Sequence, residues 1–196
     1  MRALYHFIYL AAGYSVRFGS NKLLYEIDGV PMYRHVLDRL LEIVREGKTD
    51  CDVTVVTQYS EIMKDLAERN VPAVINPDPK RGISSSVKTG IEYLMDSGRI
   101  RDDDFLIFIN ADQPGLKKET IAAFVREAGR SGKKLAALAK NGEMYSPCMF
   151  HADLVPRLLM LQGDRGGKSI LRSNPEEVFL FETEQEEELV DIDTLC

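Results

Sequence analysis

The chain has 196 residues, 44 % apolar and 29 % charged, with a net charge of −6 and an isoelectric point near 5.2. That length suits one domain, 1–196, with about 70 % of the unfolded surface buried on folding. The acidic balance argues against a nucleic-acid or membrane-surface binder, since phosphate-rich partners need a basic face, but it allows a small anionic ligand on a local basic loop.

In chain order, short aliphatic runs alternate with amphipathic stretches. The runs "ALYHFIYL" (3–10), "DVTVVT" (52–57), "VPAVIN" (71–76), "DFLIFIN" (104–110) and "KLAALA" (134–139) predict strands buried on both faces of a parallel sheet. Between them, residues 31–46, 59–70, 84–98 and 117–132 predict helices; Val36, Leu37, Leu40, Leu41 and Val44 form one apolar stripe in the first. Pro31 suits a first helical turn, and Gly47, Gly98 and Gly132 suit helix ends. The alternation predicts an α/β fold, a Rossmann-like doubly wound sheet with helices on both faces. From Met144 the rhythm changes to a strand, two short helices and two C-terminal strands, so the sheet should be mixed and mostly parallel. The acidic "ETEQEEE" (182–188) reads as a solvated turn between those last strands.

Cys51, Cys148 and Cys196 show no metal-ligand spacing and read as reduced thiols, so a cytoplasmic location is expected. The apolar start "ALYHFIYLAAG" is too short for a transmembrane helix and runs on without a cleavage region. His6, His35 and His151 are scattered, without triad or metal-site spacing, and His35 on an amphipathic helix reads as structural.

The stretch "LAAGYSVRFGSNK" (10–22) leaves the first predicted strand at the edge where open α/β sheets bind ligands. Gly13 and Gly19 let backbone amides approach an anion, Arg17 offers a planar fork, and Lys22 offers a mobile charge. Such a loop suits a polyphosphate; the same composition also describes a flexible glycine loop with two solvated cations. It holds neither G-x-G-x-x-G nor a Walker loop. The later "GDRGGKS" (163–169) has Gln162 where a Walker loop needs glycine, and follows a helical pattern. It reads as a helix–turn–helix junction with an anion site at the second helix.

Four stretches in order carry a resemblance: "LAAGYSVRFGSNK", "GISSSVKTGI" (82–91), "NADQPGL" (110–116), and "GDRGGKSIL" with the terminal "VDIDT". Together they resemble the nucleotidyltransferases that include molybdenum cofactor cytidylyltransferase, over about residues 10–194. The resemblance implies a Rossmann-like fold and Mg2+-dependent transfer of a nucleotidyl group from an NTP to a phosphorylated acceptor, with release of pyrophosphate. It implies catalytic roles for Arg17, Lys22 and Asp112. Nucleotide contacts are implied for Leu10, Ala11, Ala12, Gly13, Arg17, Lys22, Gly82, Ser84, Ser85, Ser86 and Gln113. Asp112 and Asp193 are implied as metal ligands, although here the chain stops at Cys196, short of the acidic helix usual in the family. Ala12, where the guanylyl branch more often has a second glycine, favours CTP. The implied acceptor is molybdopterin, with a molybdoenzyme or its chaperone receiving the product; sugar phosphates and isoprenoid precursors are alternatives. Arg165, Lys168 and Arg172 suit an acceptor phosphate or a solvated helix face. Asp112 alone also suits a helix cap or Asx turn, the serines suit N-caps, and Asp191 and Asp193 suit the solvated end of an edge strand. A non-catalytic nucleotide binder or cofactor-handling protein would keep the same loop.

Overall fold

The structure, a computed structural model, describes residues 3–13 and 21–192. One seven-stranded sheet runs in the order β5-β4-β1-β6-β8-β7-β9, with a separate two-stranded hairpin, β2-β3. Its strands are β1 (Tyr5–Ala11), β4 (Cys51–Thr57), β5 (Ala73–Ile75), β6 (Phe105–Asn110), β7 (Leu135–Lys140), β8 (Glu143–His151) and β9 (Val178–Glu182); the hairpin pairs β2 (Glu26–Ile27) with β3 (Val30–Pro31). Every pairing in the sheet is parallel except those of β8, which runs antiparallel to both β6 and β7. The sheet is thus mixed and mostly parallel, as the alternating pattern predicts.

Helices cover both faces. Phe7, Tyr9 and Ala11 of β1 point into one core with α1 (Met32–Glu46), α2 (Ser60–Glu68) and α4 (Lys118–Arg130); Ile8 and Leu10 point into the other with α3 (Ile83–Asp96), α5 (Val155–Leu159) and α6 (Lys168–Arg172). A central strand buried on both faces has no position for a polar alternation, which is why "HFIYLA" is so nearly apolar throughout. His6 is the exception: its ring is fully buried and bonded to Asp52 and Asp104.

The structure departs from the sequence expectation in three places. Asp28 and Gly29 take positive φ (52° and 77°) in the turn between β2 and β3, so Pro31 pairs with Glu26 and precedes α1 instead of lying in its first turn. Only one strand, β9, follows the two short helices among the described residues. The acidic run after it is a short 3-10 turn (Glu186–Glu188), and Glu188 is fully buried rather than solvated. Its Oε2 accepts from Lys117 N at 3.2 Å, which ties the segment to the start of α4 in place of a second strand pairing. Among the described residues no helix is long and apolar enough to cross a membrane.

Strand order locates the ligand edge. From β1 the chain crosses to β4 and β5 on one side, and later to β6 on the other, so the order reverses between β1 and β6. Open α/β sheets bind ligands outside the carboxyl ends of the strands at such a point. Ala12 and Gly13 leave β1 there, and Asp112 follows β6.

Candidate active site

A cleft of about 300 Å³ opens at this point, lined among others by Leu10, Ala12, Gly13, Lys22, Asn110 and Asp112. The loop root at 11–13 is fixed from the neighbouring strand. Thr57 Oγ1, Gln58 Nε2 and Tyr59 OH donate to three consecutive carbonyls, Ala11 O (2.8 Å), Ala12 O (2.8 Å) and Gly13 O (2.7 Å). Lys22 stands at the other end of the loop, in a 3-10 turn capped by Asn21. Its ammonium is 3.0 Å from Asp112 Oδ2 and donates to Ile192 O at 3.1 Å. The fold thus brings Lys22 to Asp112 across 90 residues of sequence.

Asp112 is held by its own turn and by the C-terminal segment. Arg39 Nη1 donates to Pro114 O and Leu116 O, both at 2.6 Å, and Ile192 N donates to Asp112 O at 2.9 Å. Asp112 Oδ1 is buried and meets no hydrogen-bond donor among the described residues. A carboxylate oxygen with unused acceptor capacity, beside a cation-bound twin, fits a hard divalent cation, which takes carboxylate oxygens and completes its shell with water and phosphate oxygens.

Other expected site residues divide by where the fold puts them. Gly82 and Ser86 line the cleft, Ser86 bonded through its Oγ to Asn76 Nδ2 at 3.0 Å. Ser84 and Ser85 line a different groove, with Arg81 and Lys88; Ser85 donates to Asn76 Oδ1 and Asp78 O. At 100° per residue, positions 83 and 86 share the cleft-facing side of α3, and 84 and 85 turn away. Ile83, a member of that pair, went unnamed in sequence; the i, i+3 spacing was the available signal. Ala11 is fully buried within β1. Gln113 is 1 % exposed and absent from the cleft wall; its Nε2 donates to Leu189 O at 3.4 Å, so the structure gives it a packing position. Arg17 and Asp193 lie outside the described residues. His35 is structural, its Nε2 within 3.2 Å of both Ile27 O and Val30 O of the hairpin.

Asp164 and Asn110 also line the cleft, and neither was singled out by sequence pattern. Asp164 arrives because loop 163–167 packs onto the start of α3. Ser84 N donates to Gly163 O at 3.2 Å, and Gly82, at φ 77°, has space for no side chain: an added Cβ would lie 2.7 Å from Gly163 O.

A family model described as the MobA-like NTP transferase domain matches residues 7–178. A probable molybdenum cofactor guanylyltransferase of Pyrococcus horikoshii is 28 % identical over 137 residues, covering 69 % of this chain and 62 % of its own. Purine catabolism protein PucB of Bacillus subtilis is 26 % identical over 196 residues, covering 95 % and 90 %. The chain spans 62 % of the length of the guanylyltransferase and 27 % of another curated relative. The crystal structure of Rv0371c from Mycobacterium tuberculosis shares the fold, with a TM-score of 0.78 at 20 % identity over 99 % of this chain and 94 % of that one. With 172 residues of matching pattern (7 to 178) running through the glycine loop, the Asp112 turn and the 163–169 junction, the chain belongs to the MobA-like NTP transferase domain family.

Proposed function

We propose that residues 1–196 form one nucleotidyltransferase domain that binds CTP with Mg2+ and transfers CMP to molybdopterin, releasing pyrophosphate. The observation that carries this reading is the Lys22–Asp112 pair at the switch-point cleft, with the second Asp112 oxygen buried and unmatched. Asp112, with Asp193 on the strength of the resemblance, would hold the cation, which supplies charge neutralisation on the triphosphate when bound. Lys22 then exchanges Asp112 for the triphosphate by rotation about its flexible stem, and Arg17 joins it on the resemblance alone. An oxygen of the acceptor phosphate bonds to the α-phosphorus in line as the bond from that phosphorus to the β-bridging oxygen breaks. The electron pair of the broken bond leaves with pyrophosphate, whose growing charge Lys22 and the loop amides stabilise. Hand-over of the product to a molybdoenzyme or its chaperone follows from the same reading.

A second reading, with GTP as donor, is favoured by the guanylyltransferase relative. Thermal unfolding with CTP, GTP, ATP and UTP, each with and without Mg2+, separates the two. A nucleotide at about a hundred times its dissociation constant adds roughly 2.7 kcal/mol, which is readily seen. A CTP-selective, metal-dependent rise is expected. A GTP-selective rise changes the base and keeps the chemistry. No rise with any nucleotide overturns the reading.

A further inference from the structure

Residues 185–192 form a strap across the turn that carries Asp112. Lys117 Nζ donates to Gln185 Oε1 and stands 3.7 Å from Oε1 of both Glu187 and Glu188. Gln113 Nε2 donates to Leu189 O at 3.4 Å, and Ile192 closes the strap on Asp112 O and the Lys22 ammonium. Glu188 is the anchor: it is 0 % exposed, and its Oε2 accepts from Lys117 N at 3.2 Å. Lys117 is the N-cap residue of α4, and no side chain of that helix caps it. In a capping box the third helical residue offers an acceptor to the N-cap amide. In α4 that residue is Thr120, and Glu188 makes the bond from 71 positions further on.

The other Glu188 oxygen, Oε1, is buried without a hydrogen-bond donor among the described residues, and the Lys117 ammonium reaches it only at ion-pair distance. A carboxylate buried with one hydrogen bond and one long ion pair adds little net stability, so what it supplies is position. Gly115 is the matching half. An added Cβ there would lie 2.2 Å from Glu187 O and 3.5 Å from Glu188 Cα, both backbone atoms, so any side chain lifts the strap. The turn itself has a separate support, because Arg39 of α1 holds Pro114 O and Leu116 O.

We propose that Glu188 and Gly115 are positioning residues for the divalent cation of the transferase read above, the reading on which this inference rests. They lock the strap so that Ile192 fixes Asp112 and Lys22 in the arrangement that leaves Asp112 Oδ1 unmatched. Asp193, the second proposed ligand, is the next residue, so the same anchor fixes the chain one position before it. A ligand held in place before the cation arrives loses less freedom on binding, and partners that hold metal ligands typically govern about 10- to 100-fold of affinity.

The test uses Mn2+ as the probe, with free ion counted by electron paramagnetic resonance during titration. The proteins are the wild type, Glu188→Ala, Glu188→Gln, Gly115→Ala and the Glu188→Ala/Gly115→Ala double variant, each with and without whichever nucleotide stabilises the protein. Asp112→Asn identifies the site by abolishing it. Glu188→Ala and Gly115→Ala should each weaken that site by about tenfold. Glu188→Gln keeps an acceptor for Lys117 N and should retain most of the affinity. The double variant should be no weaker than the weaker single one, because both changes act through one strap. Melting temperature without ligand separates folding from positioning. Variants that melt lower but bind Mn2+ with wild-type affinity make Glu188 a purely structural residue and overturn the inference, as do additive losses in the double variant. If one single variant fails to fold, the other decides. If the wild type has no Mn2+ site that Asp112→Asn removes, the cleft reading itself falls and takes this inference with it; a wild-type site that the strap variants leave untouched sinks the inference alone.

Discussion

Thr57, Gln58 and Tyr59 meet three successive carbonyls of the loop root, and so a segment outside the cleft wall sets where the glycine loop begins. Gln58→Ala removes one such bond, worth about 0.5–1.5 kcal/mol. It should raise KM for the nucleotide by about two- to twelvefold and leave base preference unchanged, as steady-state kinetics would read. Asp112→Ala is expected to behave differently, lowering metal-dependent kcat on the order of 10²–10³-fold, in line with loss of a preorganised charge contact. If turnover survives that substitution, the assignment of the cleft is wrong. The meeting of Lys22 with Asp112 joins two stretches that stand out in the sequence, the glycine loop after β1 and the turn after β6. Gln113, expected at the nucleotide, is turned inward to Leu189, 76 residues away, a partner that no local pattern reveals.

At the level of elements, α3 joins the switch-point cleft to the sheet through a glycine that helix propensity disfavours. An added Cβ at Gly90 would lie 2.6 Å from Ile8 Cγ2 and 3.0 Å from Val56 Cγ2. Alanine is a better helix former than glycine by about 1 kcal/mol, but overpacking a well-filled core costs about 1–3 kcal/mol. Gly90→Ala should therefore destabilise the protein, and a denaturant titration showing a higher midpoint would contradict the packing. The central strands and long helices were legible from periodicity, since burial on both faces leaves a continuous apolar run and a one-sided helix leaves a stripe. The end of the chain was not. "EEELVDI" has the charge of a solvent-facing turn and the aliphatics of a strand, and what decides between them is Glu188 accepting from Lys117 N, a contact across 71 positions.

For the molecule as a whole, the edge of the sheet opposite the cleft is fastened by a charged cluster. His6 of β1 lies 3.0 Å from Asp52 of β4 and 3.3 Å from Asp104 just before β6, and Arg99 Nη2 is 2.7 Å from Asp52. Burial raises the Asp52 carboxyl, but the hydrogen bonds and charge of His6 and Arg99 outweigh it and hold the group below its ordinary value. With the folded value depressed, the unfolded chain takes up the proton first as pH falls. The contribution is complete above an unfolded pKa of about 3.9 and fades as pH drops through that value to the folded one. Asp52→Asn should cost about 1–3 kcal/mol at pH 7, and the gap to the wild type should narrow below about pH 4 in denaturant unfolding. The cleft edge is fastened by a later part of the chain, where Ile192 meets both Lys22 and Asp112. A ribosome makes a chain from its N-terminus, so at about 5–20 residues per second Asp112 precedes Ile192 by roughly 4–16 s. For that interval a nascent chain has β1, β4, β5 and β6 but lacks the residue that braces the Lys22–Asp112 pair, so nucleotide should bind tightly only after Ile192 has been made.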